Sequence, residues 1–142
     1  MNKLHQKKKR KSSLGTEKKK AWDLFSKVIR QMYADANGYV SCATCGVTRH
    51  WKDDMQGGHF IPKSRGTSVY FECSNVHVQC KSCNCNQFDK ESVKIRYPLW
   101  MEDHYGRDEI DRLEQLAKTT VKYTRQDYID MQEHYKMCLE EL

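Results

Sequence analysis

Two pairs of cysteines, Cys42-x-x-Cys45 and Cys80-x-x-Cys83, have the ligand spacing of a four-thiolate zinc site. Four thiolates complete a tetrahedral zinc shell and leave no position for water or substrate, so zinc held this way has a structural role. Cys73 and Cys85 are competing thiols, and Cys85 lies close enough to Cys83 to substitute for it; the spacing favours Cys42, Cys45, Cys80 and Cys83. Cys138 sits among apolar helix positions and reads as an ordinary buried residue. Seven cysteines is an odd number, and without an export signal thiols stay reduced, which favours metal over disulfide.

Between the knuckles lies GGHFIP, which contains His59, and Asn84 follows the last ligand cysteine directly. An imidazole with an ordinary pKa near ~6.5 suits a general base at neutral pH. An Asn carbonyl suits a hard divalent cation such as Mg²⁺ or Mn²⁺, which would bind a phosphate oxygen and stabilise a leaving alkoxide. Together these groups point to phosphodiester hydrolysis, with the QCKSCNCN stretch supplying half of a structural clamp and, through Asn84, one ligand of a second metal. Asn75 has two readings: it accepts from one imidazole nitrogen of His59, or it fixes the hairpin loop as a turn residue.

These residues have to be positioned by short elements. From Thr16, a candidate cap, Trp22, Phe25, Ile29, Met32, Tyr33 and Ala36 recur at three and four, which predicts an amphipathic helix that Asn37-Gly38 stops. Its expected part is to cover the core without chemistry. Tyr39 to Cys42 reads as a short strand entering a knuckle turn that needs the positive φ of Gly46. A hairpin of Met55 to Ile61 with Val69 to Cys73 follows, joined by the polar loop PKSRGTS, and a helix begins near Cys80 or Cys83. Beyond Glu91 the pattern is helical: Pro98 is expected only in a first turn, Gly106 ends a segment, and helices cover Asp108 to Thr119 and Arg125 to Glu140, the last opened by Thr124 with Asp127.

The expected fold class is α+β: residues 1–15 a disordered basic arm, then one domain over 16–142. That domain divides into an N-terminal helix at 16–37, a zinc-clamped ββα core at 39–90 and a helical extension at 91–142. A chain of 142 residues that is 38% hydrophobic and 31% charged has a small core, which a metal clamp would reinforce. Of its 25 Lys and Arg, nine fall within residues 1–20 beside a single acid, so the basicity is concentrated in the arm. Lys7, Lys8, Lys9, Arg10 and Lys11 are therefore candidate phosphate contacts, as are Lys63 and Arg65 beside the hairpin, although a solubilising tail and a solvated loop are the plain alternatives. No apolar run approaches the ~20 residues of a membrane span, and the N-terminus lacks a secretory h-region, so a cytoplasmic protein is expected.

The paired knuckles, the enclosed Gly-His, Asn75 and Asn84 resemble the HNH, or ββα-metal, nuclease superfamily, in which the last position is usually His rather than Asn. CATCG, GGHF, FECSNVHVQCKSCN and the region from Tyr105 to Leu116 resemble more closely the phage NinG/Rap recombination family, over about residues 20–118. The resemblance implies a structure-selective DNA endonuclease acting on branched intermediates such as Holliday junctions, with DNA and recombination proteins as expected partners. A homodimer would suit a substrate of two strands, and the apolar faces of the helical C-terminal half offer a surface for one. The resemblance also implies a phage or prophage origin and hence the cytoplasm of a bacterial host. A non-catalytic zinc-containing DNA-binding or scaffold module, or a nuclease of broader DNA or RNA specificity, are the alternatives. One departure matters: many HNH enzymes have a metal-binding Asp directly before the base histidine, and this chain has Gly58. His77 is a candidate replacement ligand or a packing residue; Asp53, Asp54 and Gln56 are weaker candidates.

Overall fold

The computed structural model describes residues 9–85 and 91–142, so Lys7 and Lys8 lie outside the described residues. Helix α1 (Leu14–Met32) begins two residues before Thr16, because Ser13 is the cap: its Oγ accepts the Thr16 N–H at 3.1 Å. Ala21, Phe25 and Ile29 form its fully buried stripe. After the helix ends, Asp35 Oδ1 accepts the N–H groups of Asn37 and Tyr39 and turns the chain into the first sheet.

Strands β1 (Tyr39–Ser41) and β2 (Thr48–His50) pair antiparallel and enclose the first knuckle, so the expected single strand is one side of a hairpin. Gly46 has φ 77° there and donates its N–H to the Cys42 carbonyl at 2.9 Å, as a knuckle turn requires. The second sheet corrects the sequence reading. Strand β3 (Met55–His59) pairs with β4 (Val76–Cys80), not with Val69 to Cys73; Met55 is opposite Cys80 and His59 opposite Val76.

The reason lies in Asn75, which is fully buried. Its Nδ2 donates to the carbonyls of Ile61 and Val69 at 3.1 and 3.0 Å, and its Oδ1 accepts the Ile61 N–H at 2.8 Å. These bonds take up backbone groups that a strand at 69–73 would have needed, and the segment winds instead through single 3-10 turns at Lys63–Arg65, Thr67–Val69 and Cys73–Asn75. Helix α2 (Lys81–Cys85) continues directly from β4 and packs on both strands, making a ββα unit.

Helices α3 (Glu91–Tyr105), α4 (Arg107–Ala117) and α5 (Arg125–Glu140) complete the described chain. Pro98 lies inside α3 rather than in its first turn. Lys94 and Pro98 are both exposed, so water can satisfy the carbonyl that proline leaves unbonded. Gly106, at φ 87°, separates α3 from α4, and Thr124 with Asp127 forms the expected capping box of α5.

Two apolar clusters result. Phe25, Ile29, Val40, Met55, Val76 and Val78 pack with Cys42, Cys80, Cys83 and Tyr135 in one; Ile61, Val69, Tyr97, Met101, Ile110 and Leu113 form the other. Helix α5 returns along α1, with the rings of Phe25 and Tyr135 5.1 Å apart and Gln132 Nε2 donating to the Glu17 carboxylate at 2.6 Å. No described helix is long and apolar enough to cross a membrane.

Candidate functional site

The ligand atoms of Cys42, Cys45, Cys80 and Cys83 all lie within 4.8 Å of one another. Tetrahedral zinc with Zn–S bonds of ~2.3 Å separates its sulfurs by roughly 3.8 Å, and Cys45 Sγ stands 3.8 Å from Cys80 Sγ. The donor set and spacing therefore fit zinc. Cys73 and Cys85 are outside this cluster and exposed; Cys138, half-buried on α5, faces His134 instead.

The thiols differ before any cation is considered. Burial opposes ionisation of Cys42, but the backbone of Cys45 and the Thr44 hydroxyl, 3.2 Å from its sulfur, outweigh it and bring the thiol down to about 6. Burial pushes the Cys83 thiol up to about 12. A cation shared by all four is what would ionise them together. Its anchoring would join the β1–β2 turn to the end of β4 and the start of α2.

Beside β3 and α2 opens a cleft of about 590 Å³. His59, at the end of β3, lines it and is 6% exposed. Its Nε2 lies 2.9 Å from the Tyr70 carbonyl, so the neutral ring carries its proton there and keeps the Nδ1 lone pair as an acceptor. Trp22 stacks on the imidazole, ring centres 4.7 Å apart and 16° from parallel. Burial holds the His59 pKa down to about 4; Lys63 and Lys18 press in the same direction, and the Tyr70 carbonyl opposes them. At neutral pH the ring is an uncharged base.

Asn84 lines the same cleft from α2, and its Nδ2 donates to Gln56 Oε1 at 2.7 Å, with no bond to its own Oδ1 among the described residues. Lys63 lines the rim, and Lys18 stands 4.4 Å over the ring of Tyr70. Of the weaker ligand candidates only Gln56 reaches the cleft; Asp53 and Asp54 do not, and no carboxylate lines it among the described residues.

Other expected site residues sit elsewhere. Asn75 fixes the loop, the second of its two readings, while the imidazole is oriented by the Tyr70 carbonyl. His77 does not reach the cleft. It is buried with Nδ1 3.2 Å from the Tyr97 hydroxyl and Nε2 2.6 Å from that of Tyr105, and Tyr97 in turn donates to the Gly58 carbonyl at 2.7 Å. Both ring nitrogens thus stand within hydrogen-bond distance of tyrosine hydroxyls. Arg65 points away from the cleft, 3.4 Å from Glu114 on α4. Lys9, Arg10 and Lys11 are exposed ahead of α1.

Helix α1 carries more than cover. Trp22, Ser26 and Arg30 all line the cleft, and Ser26 Oγ accepts the Gly57 N–H at 3.3 Å. Their spacing of four places them on one stripe, a signal present in the sequence but without chemical meaning until β3 lies against it.

Fold and site define a mixed α+β protein in which four cysteines able to hold zinc brace a ββα unit beside a cleft with a neutral histidine. The family described as Bacteriophage Lambda NinG protein matches residues 1–142, and the chain belongs to this phage recombination-associated family. No curated protein and no solved structure matches it.

Proposed function

We propose that this chain is a divalent-metal-dependent endonuclease of the HNH type that cuts branched DNA recombination intermediates such as Holliday junctions. The observation that carries the reading is His59: a buried, uncharged imidazole whose Nε2 is engaged by a carbonyl, leaving Nδ1 as base in a cleft that Asn84 also lines. In hydrolysis a water oxygen forms the new bond to phosphorus, its proton passes to His59 Nδ1, and the phosphorus bond to the leaving sugar oxygen breaks, that oxygen taking a proton from solvent. Lys63 and Arg30 at the rim attract the phosphate, and Trp22 and Tyr70 hold the imidazole against rotation.

Asn84 Oδ1 and Gln56 Oε1 are oxygen donors suited to Mg²⁺ or Mn²⁺, and with no carboxylate in the described lining the anionic ligand would come from the substrate phosphate. Such a cation would stabilise the charge that develops on the leaving oxygen. Family membership supports recombination DNA and recombination proteins as the context, in the cytoplasm of the bacterial host. A homodimer would place one cleft on each of two strands.

The missing carboxylate favours one second reading, a zinc-braced DNA-binding module without catalysis. Cleavage of a labelled four-way junction, a matched linear duplex and matched RNA, with Mg²⁺ or Mn²⁺, separates them. We expect preferential cutting of the junction by the parent and a loss of at least about 100-fold in His59→Ala, with its fold retained by circular dichroism at the assay temperature. Equal cutting by His59→Ala would remove the proposed base, and binding without cutting under either metal would leave the module.

A further inference from the structure

Resting on that reading, we infer that Lys27, Arg30 and Lys52, gathered around Trp51, form a second phosphate-binding subsite that carries the DNA backbone away from the cleft. Trp51 follows β2 and packs against the main core, so its ring is anchored. Around it stand Lys52 Nζ at 5.3 Å, the Arg30 guanidinium at 5.4 Å and Lys27 Nζ at 6.0 Å from the ring centre. Cations at these distances are held by the negative face of an indole, which offsets part of their mutual repulsion.

What they lack, among the described residues, is a salt-bridge partner. Among the described residues the ion pairs of this helix are Lys19 with Asp23 and Lys20 with Glu17, and none engages Lys27, Arg30 or Lys52. Arg30 instead donates to the carbonyls of Ser26 and Trp51 at 3.2 and 3.3 Å, which fixes the guanidinium between cleft and patch. Three positive groups held together without an ion pair, with Asp23 acting on Arg30 only from a distance, are complementary to a polyanion. The ring that gathers them is engaged by those cations rather than free to stack a base, so the fit is to backbone phosphate, independent of sequence. Because Arg30 lines the cleft, the patch continues directly from it. A strand bound at His59 would pass over Arg30 to Lys27 and Lys52, giving a branched substrate a second point of attachment.

The test is anisotropy of a labelled four-way junction with the full chain, without added divalent metal, across a salt series. Removing two phosphate-binding ammonium groups in Lys27→Gln/Lys52→Gln should reduce the slope of log K against log salt by about 1.8 and weaken binding several-fold. Melting should stay at the parental value. Lys27→Arg/Lys52→Arg should keep the parental slope, and Lys136→Gln, whose ammonium pairs with Glu133 on α5, should leave it unchanged. A double Gln variant with the parental slope, or a Lys136→Gln slope reduced as much, overturns the subsite while leaving junction cleavage by the parent to stand. A parent that binds no DNA overturns both.

Discussion

His59 and His77 are both neutral for the same reason, burial, and this has a consequence for acid stability. Each has a folded pKa held below the ordinary 6.5, to about 4 for His59 and about 3 for His77, where His104 adds to burial. As pH falls through 6.5 the unfolded chain takes up both protons and the folded chain neither, so stability present at neutral pH is lost on acidification. Each histidine contributes a slope of up to about 1.4 kcal/mol per pH unit. Melting followed from pH 7 down to about 5 with zinc in the buffer should fall more steeply in the parent than in His77→Gln. Parallel curves would show that His77 does not enter the folded state uncharged.

At the scale of the element, the ββα unit explains why an acidic residue is missing before His59. A Cβ at Gly58 would stand 1.7 Å from Gln79 Oε1 and 2.5 Å from its Cδ, and Gln79 is fully buried on the neighbouring strand. Any side chain at this position therefore requires the buried Gln79 side chain to move, and packing opposes an aspartate there. We expect Gly58→Ala to destabilise by about 1–3 kcal/mol through overpacking, and Gln79→Ala to relieve part of that loss in the double variant. Denaturant melts of the four proteins measure this coupling; strict additivity would mean that the two positions do not compete for space. The same element shows what a single asparagine can do, since three hydrogen bonds from Asn75 select which segment pairs with β3.

For the whole molecule the four-cysteine cluster is part of the main core, not an appendage. Cys42, Cys80 and Cys83 are buried in the same cluster as Phe25, Ile29, Val76 and Tyr135, so removing a metal there would return protons to the thiolates and leave a loosened joint inside the packing. Chelation is expected to lower the melting temperature sharply and to release the ββα unit, read by circular dichroism with zinc loss verified by metal analysis. An unchanged melt after verified removal would count against the clamp. The second core, built by α3 and α4 on Ile61 and Val69, contains no cysteine and ties the loop after His59 to the C-terminal helices.

Features governed by neighbours in the chain were legible in the sequence. The two knuckles, the turn at Gly46, the stop at Gly106, the Thr124 capping box and the buried positions Phe25 and Ile29 of α1 each follow from spacing or from one residue's conformational preference, and each stands in the structure; the helix itself ends at Met32, short of the expected stop at Asn37-Gly38, and leaves Met32 exposed. His59 and Asn84 were recognisable as candidates for the same reason, being fixed relative to the knuckles, and the fold brings both to one cleft. Tertiary structure alone decided the rest. Strand β4 is buried along its whole length, so VHVQC lacks the in-and-out alternation that marks a half-buried strand, and Val69 to Cys73 looked the better partner. The Tyr70 carbonyl on His59, the tyrosines on His77, Glu114 on Arg65 and the Trp22 stack join residues 11 to 49 positions apart. Such pairings leave no local signature, because they depend on which surfaces the packed core brings together.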